Sequence, residues 1–297
     1  MSRPPHQPPR LLRGPFRGAD AIASGQVSKS QLRGRSWRRL YPDVYVSAAM
    51  ELTPVMRIQA AALWLPKDSV ITGRSAAQLW GVQLGDEDTP VEALCATRVR
   101  VPPGLAIRIG RIPADEIAFR RGLVVTTPGH TAWEIGRALP QPEAIGWIDA
   151  LARRKHLSNR ELRAHADLHR GEPGSRRATL TLAQADARAE SPPESRLRVA
   201  FATAGLPTPV PQFSVIIAGY FVARVDLAWP AWRFAVEYDG RWHADRAQLH
   251  RDRVRDRELS AAGWFVFHVT REDMHDMPRL VGQITALLRL RRDAIGA

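Results

Sequence analysis

Apolar and polar positions change period along the chain, and the changes predict its elements. FRGADAIASG, from Phe16, reads as a short helix stopped by Gly25, and VSKSQLRG as a second, with Ser28 as N-cap and Gly34 as stop. SWRRLYPDVYVSA then alternates as a hairpin does, turning at Pro42-Asp43. Helical spacing recurs over residues 53–64 and 74–80. VEALCATRVRVPPGLAIRIGRI, from Val91, reads as successive strands around a Pro102-Pro103-Gly104 turn. Helical patterns resume at 131–138, 142–154, 158–169 and 176–189.

Past the break at Ser191-Pro192-Pro193 the order is sharper. ESRLRVAFATAG is helical; PQFSVIIAG and YFVARVDLAWP are strands joined at Gly219; WRFAVEYDG is apolar enough for burial on both faces. A charged helix over 245–262 ends at Gly263, WFVFHV reads as a buried strand, and MPRLVGQITALLRLRR as a closing amphipathic helix. The order α-β-β-β-α-β-α predicts a mixed sheet flanked by helices. The fold class expected is α/β. A basic, Pro/Arg-rich tail over 1–14 should be disordered. A winged helix-turn-helix is expected over 15–50, an α+β middle domain with a helical linker over 51–189, and the mixed-sheet domain over 190–297.

Charge sharpens this picture. The formal net charge is +13 and the pI about 11.1, which favours an acidic partner such as nucleic acid. Residues 1–50 hold nine Lys or Arg against Asp20 and Asp43, so the excess is greatest at the N-terminus. The candidate DNA contacts there are Arg33, Arg35, Arg38 and Arg39, with Trp37 and Tyr41 beside them; a small helical cap with solvated arginines fits the same pattern. A lone cysteine, Cys95, excludes an internal disulfide framework and a Cys-based zinc cluster. With no apolar run of the roughly 18 residues a membrane span needs, and no apolar stretch near the N-terminus, a cytoplasmic protein is expected, with no membrane partner. His130, His156, His165 and His169 show no convincing ligand spacing and are expected to be solvated or capping.

Candidate chemistry lies near the C-terminus. Asp226 ends one strand, Glu237 and Asp239 end the next, and Glu194 opens the preceding helix. If the two strands pair, these carboxylates converge, and hard oxygen ligands so placed suit Mg²⁺ or Mn²⁺. His243, just beyond, is positioned for general-base or hydrogen-bonding work. Two other readings stay open: Asp239-Gly240 as a plain turn, and Glu237 as a buried acid paired with an arginine such as Arg224 or Arg253. On the helix 245–262, Arg251, Arg255, Asp252 and Asp256 recur as solvated pairs do, while Arg253 and Arg257 share a face that could touch phosphates.

Glu194, Gln212, Asp226 and the run E-x-D-G-x-x-H from Glu237 to His243, followed by D-R-x-R-D-x-x-L from Asp252 and Gly263-Trp264, resemble the PD-(D/E)XK nuclease superfamily. The branch resembled is that of the very-short-patch-repair endonucleases, over about residues 190–292. The resemblance implies a restriction-endonuclease-like fold and a Mg²⁺/Mn²⁺-dependent endodeoxyribonuclease. Asp226 and Glu237 would be metal ligands, Glu194 an accessory ligand or water-positioning acid, and His243 an auxiliary catalytic residue. Asp239 stands where that superfamily has its lysine and joins the catalytic candidates; the lysine's work would pass to Arg241, Arg251, His243 or a second metal. GQVSKSQLRGRSWRRLYPDVYV, TGRSAAQLWGV and GLVVTTPGHTAWEI resemble actinobacterial proteins related to AbiEi-type abortive-infection antitoxins, over roughly 15–170. That likeness implies DNA binding by a winged helix. It leaves a toxin partner or a homodimer as further expectations, and a catalytically silent nuclease fold as the alternative to an enzyme.

Overall fold

Residues 7–85, 89–240 and 246–296 are described by the computed structural model, with side chains from Arg253 to Ile295 in the last stretch, and their strands form three separate sheets. The first sheet belongs to β1 (Phe16–Arg17), α1 (Gly18–Ala23), α2 (Lys29–Leu32), β2 (Trp37–Tyr41) and β3 (Val44–Ser47), in the antiparallel order β1-β3-β2. Ser28 caps α2 as its position suggests: its hydroxyl accepts from the Gln31 amide while the Gln31 side chain accepts from the Ser28 amide. Asp43 takes φ 60° at the hairpin turn, a left-handed conformation that Asp tolerates. The expectation of disorder through residue 14 is corrected, because Pro9–Leu12 forms a 3₁₀ turn. Leu11 draws that turn in by packing with Ala21, Val27, Leu32 and Trp37. Residues 1–6 lie outside the described residues.

After α3 (Pro54–Trp64), the second sheet takes β4 (Val70–Ile71), then α4 (Gly73–Leu79), β5 (Val91–Cys95), β6 (Leu105–Ile109), β7 (Ile117–Arg120) and β8 (Leu123–Thr126). Its order is β6-β5-β4-β8-β7. Val91 lies opposite Leu105 in a parallel pair, so Pro102-Pro103-Gly104 is part of a crossing connection and not a hairpin turn. Four helices follow: α5 (Pro128–Ala138), α6 (Gln141–Lys155), α7 (Asn159–Leu168) and α8 (Ser175–Leu182), the last shorter than its pattern. Trp133, Ile145, Ile148, Leu151, Leu162 and Leu182 form their shared core.

The third sheet follows α9 (Pro192–Thr203). It consists of β9 (Val210–Ile217), β10 (Tyr220–Trp229), β11 (Phe234–Asp239) and, after α10 (Arg246–Ala261), β12 (Phe265–Thr270); α11 (Met277–Gly296) closes the chain. The order is β12-β11-β10-β9, with β11 and β12 parallel and the other pairs antiparallel. WFVFHV, expected to be buried, is an edge strand with Phe265 39% exposed, because only β11 flanks it. α9 serves two cores. Leu197 and Phe201 pack with this sheet, whereas Val199 joins the α5–α8 core. Arg198, on the same helix, meets Asp149 of α6 at 2.7 Å, and both are almost fully buried. No helix among the described residues is long and apolar enough to cross a membrane.

Candidate functional site: an acidic group on the third sheet

Pairing of β10 with β11 runs from Trp229 opposite Phe234 to Leu227 opposite Val236 and stops one residue short of Asp226 and Glu237. There the side chain takes over: Asp226 Oδ2 accepts from the Tyr238 backbone amide at 2.9 Å. On the other flank, the β9–β10 register passes from Val225–Phe213 to Leu227–Pro211, leaving Asp226 and Gln212 outside it. Gln212 holds φ 52°, and its Nε2 donates to Glu194 Oε2 at 2.8 Å and to Asp226 Oδ1 at 3.3 Å. One amide thus ties the acid of α9 to the acid of β10. Glu194 is fixed from behind, accepting from the Ser191 hydroxyl at 2.7 Å and the Glu190 amide at 2.9 Å.

Glu237 is held differently. It pairs with Arg255 of α10, and its Oε2 lies 4.0 Å from Nδ1 of His268, its register partner on β12. His268 Nε2 lies 3.6 Å from Asp256. Of the arginines considered for Glu237, neither Arg224 nor Arg253 is the partner: Arg224 bonds Glu190 at 3.0 Å, and Arg253 is exposed. Arg255, expected in a solvated helix pair, is only 33% exposed at its side chain, because α10 lies against the sheet. Burial raises all three acids above the usual carboxylate range. For Glu194 the hydrogen bonds from Ser191 and Glu190 oppose it, and for Asp226 that from Tyr238 does. Glu237 is pushed up to about 7 by burial, against the pull of Arg255 and with the help of Asp226 and Asp256. A perturbed acid of this kind is a mark of functional sites.

Asp239 is exposed at the end of β11 and lies two residues along the same face as Glu237. Arg241 and His243 lie outside the described residues, as does the side chain of Arg251. Arg257 is exposed on α10. In the first sheet, Arg33, Arg35, Arg38 and Arg39 are all exposed, Arg38 donating to the Met50 carbonyl at 3.1 Å. Trp37 and Tyr41, expected beside them, are each 7% exposed and turn into the protein instead, since their strand alternates buried ends with an exposed centre.

The expectation for the histidines is corrected for His130 and His165, while His156 and His169 stand at the C-caps of α6 and α7 and His169 has a second place besides. His130, His165 and His169 gather with Glu116 in one buried group. The signal was HADLH at the end of α7, with His165 inside the helix and His169 at its C-cap, the i, i+4 spacing that shares a helix face.

Residues 69–183 match the family described as the AbiEi antitoxin C-terminal domain. The chain is 30% identical over 256 residues to the uncharacterized proteins MT2308 and Rv2248 of Mycobacterium tuberculosis, covering 86% of its own length and 93% of theirs. The crystal structure of the RV2827C protein from Mycobacterium tuberculosis shares 15% identity and a TM-score of 0.41, over 70% of this chain and 85% of that one, a likeness too slight to bear on the fold. The chain therefore belongs to the family of MT2308 and Rv2248, and its middle region is similar to the AbiEi antitoxin C-terminal domain.

Proposed function

We infer that the chain is a DNA-binding regulator of the antitoxin kind. The observation that carries this reading is the run of exposed arginines, Arg33, Arg35, Arg38 and Arg39, between α2 and the middle of β2. They stand in the most basic segment of the chain, ahead of an antitoxin-like region. Two short helices followed by an antiparallel hairpin support a winged helix over residues 15–50. A toxin is the partner that this reading implies, and a homodimer would suit a palindromic operator. The replacement of both Arg38 and Arg39 by Ala should weaken duplex binding and lower the slope of log K against log salt by about 1 for each phosphate contact removed. An unchanged slope would rule these residues out as phosphate contacts.

A second reading is favoured by the Gln212 bridge between Glu194 and Asp226, beside Glu237. Here the third sheet is a restriction-endonuclease-like unit that cleaves DNA. The donors are all oxygen, as a hard cation requires, and burial holds each acid above its ordinary pKa, a shift that a cation would reverse, although Glu194, Asp226 and Glu237 do not all bring ligand atoms within 4.8 Å of one another. Asp226 and Glu237 would hold Mg²⁺ or Mn²⁺, which when bound activates water and stabilises phosphate charge. Glu194 would orient the water, and Arg255 would supply fixed positive charge beside Glu237. Under this reading Mn²⁺ binds the wild type in calorimetry and fails to bind Asp226→Ala. No binding to either, with duplex DNA present, leaves the regulator reading alone.

A further inference from the structure

Glu116, His130, His165 and His169 arrive from the 3₁₀ turn before β7, the start of α5 and the end of α7. One ligand atom from each lies within 4.8 Å of the others, and no other set of three or more His, Cys, Asp or Glu among the described residues does this. Glu116 Oε2 is 2.7 Å from His130 Nδ1; its Oε1 is 3.3 Å from His165 Nε2 and 2.7 Å from His169 Nε2. Glu116, His130 and His169 are buried, and the side chain of His165 is 18% exposed.

Hydrogen bonding does not complete this group. Glu116 Oε2 and His130 Nδ1 are close but not in hydrogen-bonding geometry, and both ring nitrogens of His130, Glu116 Oε2 and His165 Nε2 are buried without a hydrogen-bond partner. Each such buried orphan disfavours the folded state unless a partner is supplied. His169 lies between two carboxylates, Glu116 at 2.7 Å and Glu172 at 2.8 Å, an arrangement that calls for positive charge at or beside its ring. A cation at the centre resolves both problems. It takes the inward nitrogens and leaves the outward ones to carboxylates: Glu172 on His169 Nδ1, and Glu134, 3.5 Å from His130 Nε2. Carboxylates on the far nitrogen are what orient metal-bound histidines. Glu134 is itself anchored by Arg137 at 2.9 Å and by Arg108. Room for the cluster is made by Gly129, where a Cβ would meet the His165 ring at 2.8 Å.

We propose that Glu116, His130, His165 and His169 form a binding site for one divalent ion of the zinc class. Three imidazoles and one carboxylate suit Zn²⁺ over Mg²⁺ or Ca²⁺, and four protein donors fill a tetrahedral shell. With no position left open, the ion is structural: it clamps the turn before β7 to α5 and α7. This site is independent of both functional readings above.

The test is metal uptake by the full chain, followed by Co²⁺ replacement, which reports tetrahedral coordination through its strong visible absorption. One equivalent of Zn²⁺ per chain, a tetrahedral Co²⁺ spectrum and a Tm raised by Zn²⁺ are expected. His165→Gln changes the most exposed of the ligands and should keep the fold, checked by circular dichroism, while losing the ion. Glu172→Gln should keep the stoichiometry and lose about 10–100-fold in affinity. Folded wild type that takes up neither metal, or uptake unchanged in both His165→Gln and His169→Gln, would overturn the proposal and leave a hydrogen-bonded cluster only. Should the variants fail to fold, the wild-type Co²⁺ spectrum decides by itself.

Discussion

Asp149→Ala is expected to destabilise the folded chain by about 3–5 kcal/mol, the usual cost of removing one partner of a buried ion pair. Asp149 is 1% exposed and Arg198 5%. The Asp149 carboxylate accepts from Arg198 at 2.7 Å and from the Asp186 amide at 2.8 Å, so its loss leaves two donors without an acceptor. Arg198 Nε is already without a hydrogen-bond partner, and the side chain is almost fully buried. Burial also lifts the Asp149 carboxyl to about 6 despite Arg198, which shows how much solvation the pair has given up. Two apolar side chains of similar volume, Asp149→Leu with Arg198→Met, should therefore recover most of the loss. Urea denaturation measures both. A single variant within about 1 kcal/mol of wild type would show that the pair holds nothing together.

Glu237→Gln should act in the opposite direction, raising stability at pH 8 by up to about 3 kcal/mol, from the roughly 1.4 kcal/mol that each pKa unit represents. The folded chain holds this carboxyl at about 7, against an ordinary value of 4.5. Between those pH values the folded state keeps a proton that the unfolded state has released, so stability falls as pH rises through the window. Asp149, Glu194 and Asp226 are also raised, so the variant should reduce this slope without abolishing it. Arg255, a third exposed, can turn to water once its partner is neutral. Thermal melts from pH 4.5 to 8 in chelator are the measurement, and an unchanged slope would refute the assignment. A carboxylate kept at a loss in stability is what a functional site exhibits.

The sequence announced what is local. Ser28 three residues before Gln31 is a capping box on its face, and Pro42-Asp43 between alternating runs is a hairpin. Asp226 reaches the Tyr238 amide, next to Glu237, because β10 and β11 are neighbours joined by a short turn, so that approach could be counted out along the chain. Two-residue β4 has no period to detect, and Pro102-Pro103-Gly104 looks the same in a crossing connection as in a hairpin. Partners chosen by tertiary packing were hidden. Arg255 reads as one of several helix arginines until α10 is laid on the sheet. Glu116 and His169 are 53 residues apart, and only HADLH, half of that cluster, is visible at helical spacing.

The double allegiance of α9 bears on how such a chain can be rearranged by recombination. A crossover just before Pro192 would carry the third sheet away with its own helix, yet strip the α5–α8 core of Val199 and leave Asp149 facing no cation. A crossover just after Thr203 would spare that core but deprive the third sheet of Leu197, Phe201 and Glu194. Neither cut yields two intact inheritable modules. Descendants of such an ancestor should carry the middle and C-terminal regions together, and the first sheet with them, because Tyr41 and Val44 share a core with Ile58, Ile71 and Val125.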